Sequence, residues 1–117
     1  MRLGEVYLIH AEAAIRGYQD YAGARTSLKA ITDRAGYEEN YVNTISDGDL
    51  LETVRKHKLI ELVEENYEDW FDLVRYYKEG DLNITDVKPT VTSDTKLILP
   101  IPQTALAGNN LLEQNPL

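Results

Sequence analysis

The chain has 117 residues, which is one small domain or one piece of a larger protein and excludes a second complete domain. Twelve basic residues against twenty acidic ones leave a formal net charge of −8, which repels phosphate backbones and anionic headgroups and argues against a nucleic-acid partner. With no cysteine, disulfide frameworks, thiolate metal sites, iron–sulfur clusters and a cysteine nucleophile are excluded as well.

An apolar fraction of 43% is enough for a core, although a chain this short buries only about 60 to 70% of its unfolded surface. No stretch approaches the roughly 18 apolar residues of a membrane-spanning helix, and Met1-Arg2-Leu3-Gly4-Glu5 lacks the layout of a secretory signal. The expectation is a soluble chain without a targeting address. Leu3, Val6, Tyr7, His10 and Ala14 recur at helical spacing and predict a first helix over about 3–16, with Gly17 as its left-handed cap. Asp20 is placed to cap a second helix with the stripe Ala24, Leu28, Ile31 and Ala35, stopped by Gly36. A short turn between two helices makes a hairpin over 1–36.

Residues 37–47 have no clean period and read as a loop. Ser46 with Asp49 three residues on is a capping-box-like start, and no Gly or Pro breaker follows Gly48 until Gly80. One long helix is disfavoured by charge: Glu61/Glu65, Glu64/Glu68, Glu65/Asp69 and Glu68/Asp72 are like-charged i,i+4 pairs, each costing roughly 0.2 to 0.5 kcal/mol. A break at Asn66 relieves most of them and puts Glu68 and Asp69 in a first helical turn, where the macrodipole favours negative charge. The helix pair of 46–80 is therefore predicted at about 48–64 and 67–79.

Beyond Gly80, Thr85, Thr90, Thr92 and Thr95 surround Pro89 without a helical stripe, so 81–117 reads as an extended segment. Ile98 and Ile101 are expected to pin it to the helices, and Pro102 to open a single helical turn ended by Gly108. The fold class is mainly α. It is a tetratricopeptide-like helical hairpin packed on further helices, with an extended Pro-containing C-terminal segment, forming a single unit over 1–117. The 34 residues from Leu3 to Gly36 and the small residues at the crossing match one such repeat, although its usual closing proline is absent. One repeat cannot bury its own apolar face and needs a neighbour.

Three segments, in order, resemble the C-terminal end of the SusD/RagB family of nutrient-binding outer-membrane lipoproteins. The first is Arg2-Leu3-Gly4-Glu5-Val6-Tyr7-Leu8-Ile9-His10-Ala11-Glu12-Ala13, with Arg34-Ala35-Gly36 closing the partner helix. The second runs from Glu61-Leu62 through Glu65-Asn66 to Trp70-Phe71-Asp72-Leu73-Val74-Arg75. The third is Leu99-Pro100-Ile101-Pro102-Gln103 closing on Gln114-Asn115-Pro116. Where family members often carry a basic pair before the second segment and an arginine ahead of its aromatic pair, this chain has Lys56-His57-Lys58 and Tyr67-Glu68-Asp69.

The resemblance implies that the chain is the last portion of a receptor lipid-anchored on the bacterial outer-membrane surface. Such a receptor works with a SusC-like TonB-dependent transporter and hands over an oligosaccharide or other nutrient without cleaving it. An apolar repeat already running at Leu3 agrees with a truncated beginning. The family's ligand contacts come largely from other regions, so no binding residue is carried over. The alternative reading is a free-standing tetratricopeptide-like adaptor for a protein partner.

Sugar rings present apolar faces that stack on tyrosine, which makes Tyr18 and Tyr21 at the first turn and Tyr37 and Tyr41 in the loop the candidate ligand contacts. The competing expectation is that they pack at loop bases. Trp70 and Phe71 are expected in the core. The acidic run Glu61, Glu64, Glu65, Glu68, Asp69 and Asp72 reads as a solvated junction, with Asp72 and Arg75 as an ion pair. His10 and His57 lack metal-ligand spacing, and the Asp47-Gly48-Asp49 stretch fails the register of a calcium loop. No phosphate loop or nucleophile-elbow serine occurs, so no catalytic residue, cofactor or metal is assigned.

Overall fold

A computed structural model of the protein describes residues 2–65 and 68–116, and, of these, the side chains of all but Glu68 and Asp69. The described residues form helices and turns and no strand, which makes the fold mainly α. Two compact units are present, Met1–Asp69 and Trp70–Leu117.

The first unit opens with α1, Leu3–Tyr18. It runs two residues past the sequence expectation because Gln19, not Gly17, takes the left-handed conformation, with φ 53°. There the Gln19 N–H donates to the Ile15 carbonyl at 3.1 Å and the Asp20 N–H to Ala14 at 2.9 Å, satisfying carbonyls that the helix end leaves open. Asp20 then caps α2, Tyr21–Arg34, by accepting from the Gly23 N–H at 2.8 Å, as its position predicts. Gly36, at φ +82°, ends that helix, and the Tyr37 N–H reaches back to Thr32 at 3.0 Å. A 3-10 turn, Tyr41–Thr44, lies inside the expected loop and buries Val42. Ser46 caps α3, Asp47–Glu61, by accepting from the Asp49 N–H at 3.2 Å, while its hydroxyl donates to the Asp49 carboxylate at 2.6 Å.

The core joins Leu8, Ala11, Ala14 and Ile15 of α1 to Ala24, Leu28 and Ile31 of α2, Val42, and Leu50 and Val54 of α3. Each fully buried aliphatic side chain contributes about 1.5 to 3 kcal/mol. The expected stripe of α1 is thereby corrected. Leu3 is 71% exposed, Val6 and Tyr7 face outward, and the helix turns its Leu8, Ala11 and Ile15 side inward. Apolar residues occupy both sides of α1, so periodicity alone does not choose between them. Alanines at 11, 14 and 24 let α1 and α2 approach closely.

In the second unit, α4 spans Glu68–Lys78. α3 ends at Glu61, short of the expected 64, α4 begins at Glu68, and the expected break at Asn66 lies outside the described residues. Tyr76, Ile84 and Val91 are buried, and Arg75 donates to Asp72 at 2.9 Å with its guanidinium 4.5 Å over the Tyr76 ring. Phe71, expected in the core, is 64% exposed, and Trp70 is half-buried.

The stretch read as extended holds a short helix, α5, Ile84–Val87, started by Asn83, whose side chain accepts from the Thr85 N–H at 3.4 Å. A 3-10 turn follows at Asp94–Leu97. Asp94 accepts from the Tyr77 hydroxyl at 2.9 Å and pairs with Lys78, and the two donors hold its carboxyl below the usual range, Lys78 first. Pro102 opens α6, Gln103–Gly108, as expected. Ile98 is exposed rather than a pin. Amide side chains of Gln114 and Asn115 fold the end of the segment back on its own Leu99 and Ile101 backbone.

Candidate functional site

The first two family-like segments meet in one ion cluster. Arg2, just ahead of α1, donates through Nη1 to Glu61 Oε1 at 3.1 Å and through Nη2 to the Glu61 carbonyl. Its Nε donates to Glu65 at 3.0 Å, and that bond is the leading reason the guanidinium holds its proton more tightly than usual. Arg34, closing α2, donates to both Glu61 oxygens, at 2.6 Å for Oε1. Glu61 closes α3 with its side chain only 12% exposed, so its charge is met by two arginines from two other elements. Gly4 completes the arrangement, since a Cβ there would lie 2.8 Å from Glu61 Oε1. The cluster ties three helix ends together. Its carboxylate is engaged on both oxygens and offers no free base.

The closing stretch has an equally specific logic. Gln114 accepts from the Ile101 N–H at 2.8 Å and donates to the Ile101 carbonyl at 3.0 Å, imitating one strand pairing. Asn115 donates to the Leu99 carbonyl at 2.7 Å. Pro100 and Pro102 flank Ile101 and bring no N–H of their own, and the two amides meet the Ile101 N–H and carbonyl and the Leu99 carbonyl between them.

The four candidate tyrosines part company. Tyr18 projects into solvent at 86% exposure, at the end of α1. Tyr21 opens α2 and leans on the core. Tyr37 and Tyr41 come together, ring centroids 4.6 Å apart and planes inclined by 45°. His57 from α3 meets both rings edge-on, at 5.2 Å and 5.7 Å, and its Nε2 lies 3.2 Å from the Tyr41 hydroxyl. The imidazole is 6% exposed, and burial pushes its pKa below the usual histidine value. Tyr41 is half-buried, whereas Tyr37 keeps 42% of its surface open. The arrangement offers a ring face braced from behind, suited to stacking against a flat apolar surface.

Sequence reasoning left His57 as a structural residue, since nothing local links it to tyrosines 20 and 16 positions earlier. His10 bonds through Nδ1 with Ser27 Oγ at 2.8 Å, across α1 and α2. Among the described residues no group of three or more His, Asp or Glu side chains is placed to hold a metal ion, and no helix is long and apolar enough to cross a membrane.

The sequence profile of the SusD family, whose members are nutrient- and glycan-binding surface receptors, matches residues 1–117. No curated protein and no solved structure matches the chain. The match spans Met1 to Leu117, a range that takes in the Arg2–Glu61–Arg34 cluster and the Gln114 clasp, and the protein belongs to the SusD family.

Proposed function

We propose that this chain serves in a receptor on the bacterial outer-membrane surface that captures glycans or other nutrients and passes them, uncleaved, to a SusC-like TonB-dependent transporter. The observation that carries the reading is the family match over 1–117. The receptor is held to the membrane by a lipid anchor. Tyr37 and Tyr41 are the ligand contacts, with Tyr37 stacking on a sugar ring and Tyr41 bracing it. Tyr18, open to solvent, is an accessory contact. Tyr21 supports the turn from the core side.

The test is binding of a panel of gluco-, manno- and xylo-oligosaccharides to the receptor, followed by calorimetry and by product analysis of the bound sugar. Binding that weakens at least tenfold in Tyr37→Ala and not in Glu64→Ala supports the reading. Unchanged binding in Tyr37→Ala removes the tyrosine pair from the site, and release of shortened sugars overturns the non-catalytic role. Recovery of a transporter barrel with the receptor from outer membranes checks the partner.

A further inference from the structure

The brace behind Tyr37 is a titratable group in a dry place. His57 Nε2 is committed to the Tyr41 hydroxyl, and the ring edges of the histidine and both tyrosines interlock. A neutral imidazole fits this setting, since its Nε2 can either donate to the Tyr41 hydroxyl or accept from it according to tautomer. An imidazolium does not, because it gives up hydration without gaining a carboxylate. Segment 35–46 turns the phenols of Tyr37 and Tyr41 toward it. On α3, Glu61 one turn on is taken by Arg2 from the start of α1 and Arg34 from the end of α2.

We propose that His57 is a proton-operated latch on the Tyr37–Tyr41 segment: neutral, it holds the two rings against α3, and protonated, it releases them. The consequence for nutrient capture rests on the tyrosine reading above, whereas the latch is a property of the fold itself. Burial keeps the closed-state pKa below the ordinary 6.5, so the released segment binds the proton more readily. Latching is complete above about pH 6.5 and weakens as pH falls from there through the closed-state value. A receptor built this way holds its ring face in neutral surroundings and loosens it in acidic ones.

The test is amide hydrogen exchange in the full chain between pH 7.5 and 5.0, with the His57 ring titration followed by NMR in the same samples. The Tyr41 and Asn43 N–H groups, bonded to Glu38 at 2.9 Å and Asn40 at 3.0 Å, report on the segment. Their protection factors are expected to fall as pH drops below about 6.5 and to level off once His57 is protonated, while Ala24 and Leu28 stay protected. His57→Gln is expected to flatten the response, and His10→Gln to leave it as in the parent. Protection that is constant across the pH range while His57 titrates overturns the latch, as does a response that survives in His57→Gln. If that variant fails to fold, a loss of protection in the parent chain that continues undiminished below the His57 titration midpoint overturns it equally. No sugar enters this experiment, so sugar binding measured at pH 7.5 reports on the ligand reading alone.

Discussion

Arg34, the last residue of α2, donates to both carboxylate oxygens of Glu61, the last residue of α3, 27 positions further along the chain. Arg2 reaches the same carboxylate from the front of α1, so one acidic side chain joins three helix ends. An exposed ion pair is worth little, but Glu61 is mostly covered, and stranding either arginine or the carboxylate carries a desolvation cost.

Glu61→Ala is therefore expected to lower stability by about 1 to 3 kcal/mol, and Glu61→Gln by less, in urea unfolding. Gly4→Ala should also destabilise, because its new Cβ presses on Glu61 Oε1. The cost of Gly4→Ala should shrink in the Glu61→Ala background, and a double-mutant cycle with additive effects would show that the two sites are independent.

The inward face of α1 is open to a direct comparison. Leu8→Ala removes a fully buried side chain and is expected to cost about 2 to 5 kcal/mol. Val6→Ala acts on an exposed one and is expected to stay within about 0.5 kcal/mol. Equal losses in thermal or urea unfolding would contradict the packing.

Two of the helix ends with left-handed backbone, those at Gln19 and Gly36, respond in opposite directions. Gln19→Gly relieves a side chain held at φ 53° and is expected to stabilise by up to about 1 kcal/mol. Gly36→Ala places a Cβ at φ +82° and is expected to cost about 1 kcal/mol or more. Nothing lies within 4 Å of that added Cβ, so the loss is one of backbone conformation and not of crowding. Paired melting curves of the two variants check both signs.

The C-terminal clasp depends on one amide. Gln114→Ala leaves the Ile101 N–H and carbonyl without their partners, and each net hydrogen bond is worth about 0.5 to 1.5 kcal/mol. The expected readout is faster exchange of the Ile101 amide, with Gln114→Glu intermediate because it keeps the acceptor and loses the donor. Unchanged exchange in Gln114→Ala would separate the clasp from the ordering of the segment.

Much of the helical layout was legible because its signals are local. Asp20 and Ser46 start helices by bonding N–H groups three residues on, Gly36 stops one by adopting a conformation other residues resist, and the carboxylate run at 61–72 separates α3 from α4 through neighbour repulsion. Gln19 was missed because an ordinary side chain in the left-handed region leaves no mark in sequence. Phe71 was misplaced because bulk and apolarity say that a ring gains from burial but not which surface covers it.

Of the candidate ligand residues, the sequence alone named tyrosines by their ring chemistry and loop position. Composition, cap chemistry and the ordered stretches from Arg2 to Pro116 were enough for a mainly α chain of the SusD family. Tertiary structure decided the rest: the pairing of Tyr37 with Tyr41 over a buried His57, the face α1 turns inward, and the meeting of Arg2, Arg34 and Glu61. Each depends on contacts between residues far apart in the chain. A linear pattern records which side chains favour burial or charge pairing, whereas partners are chosen when the packed helices bring particular atoms within reach.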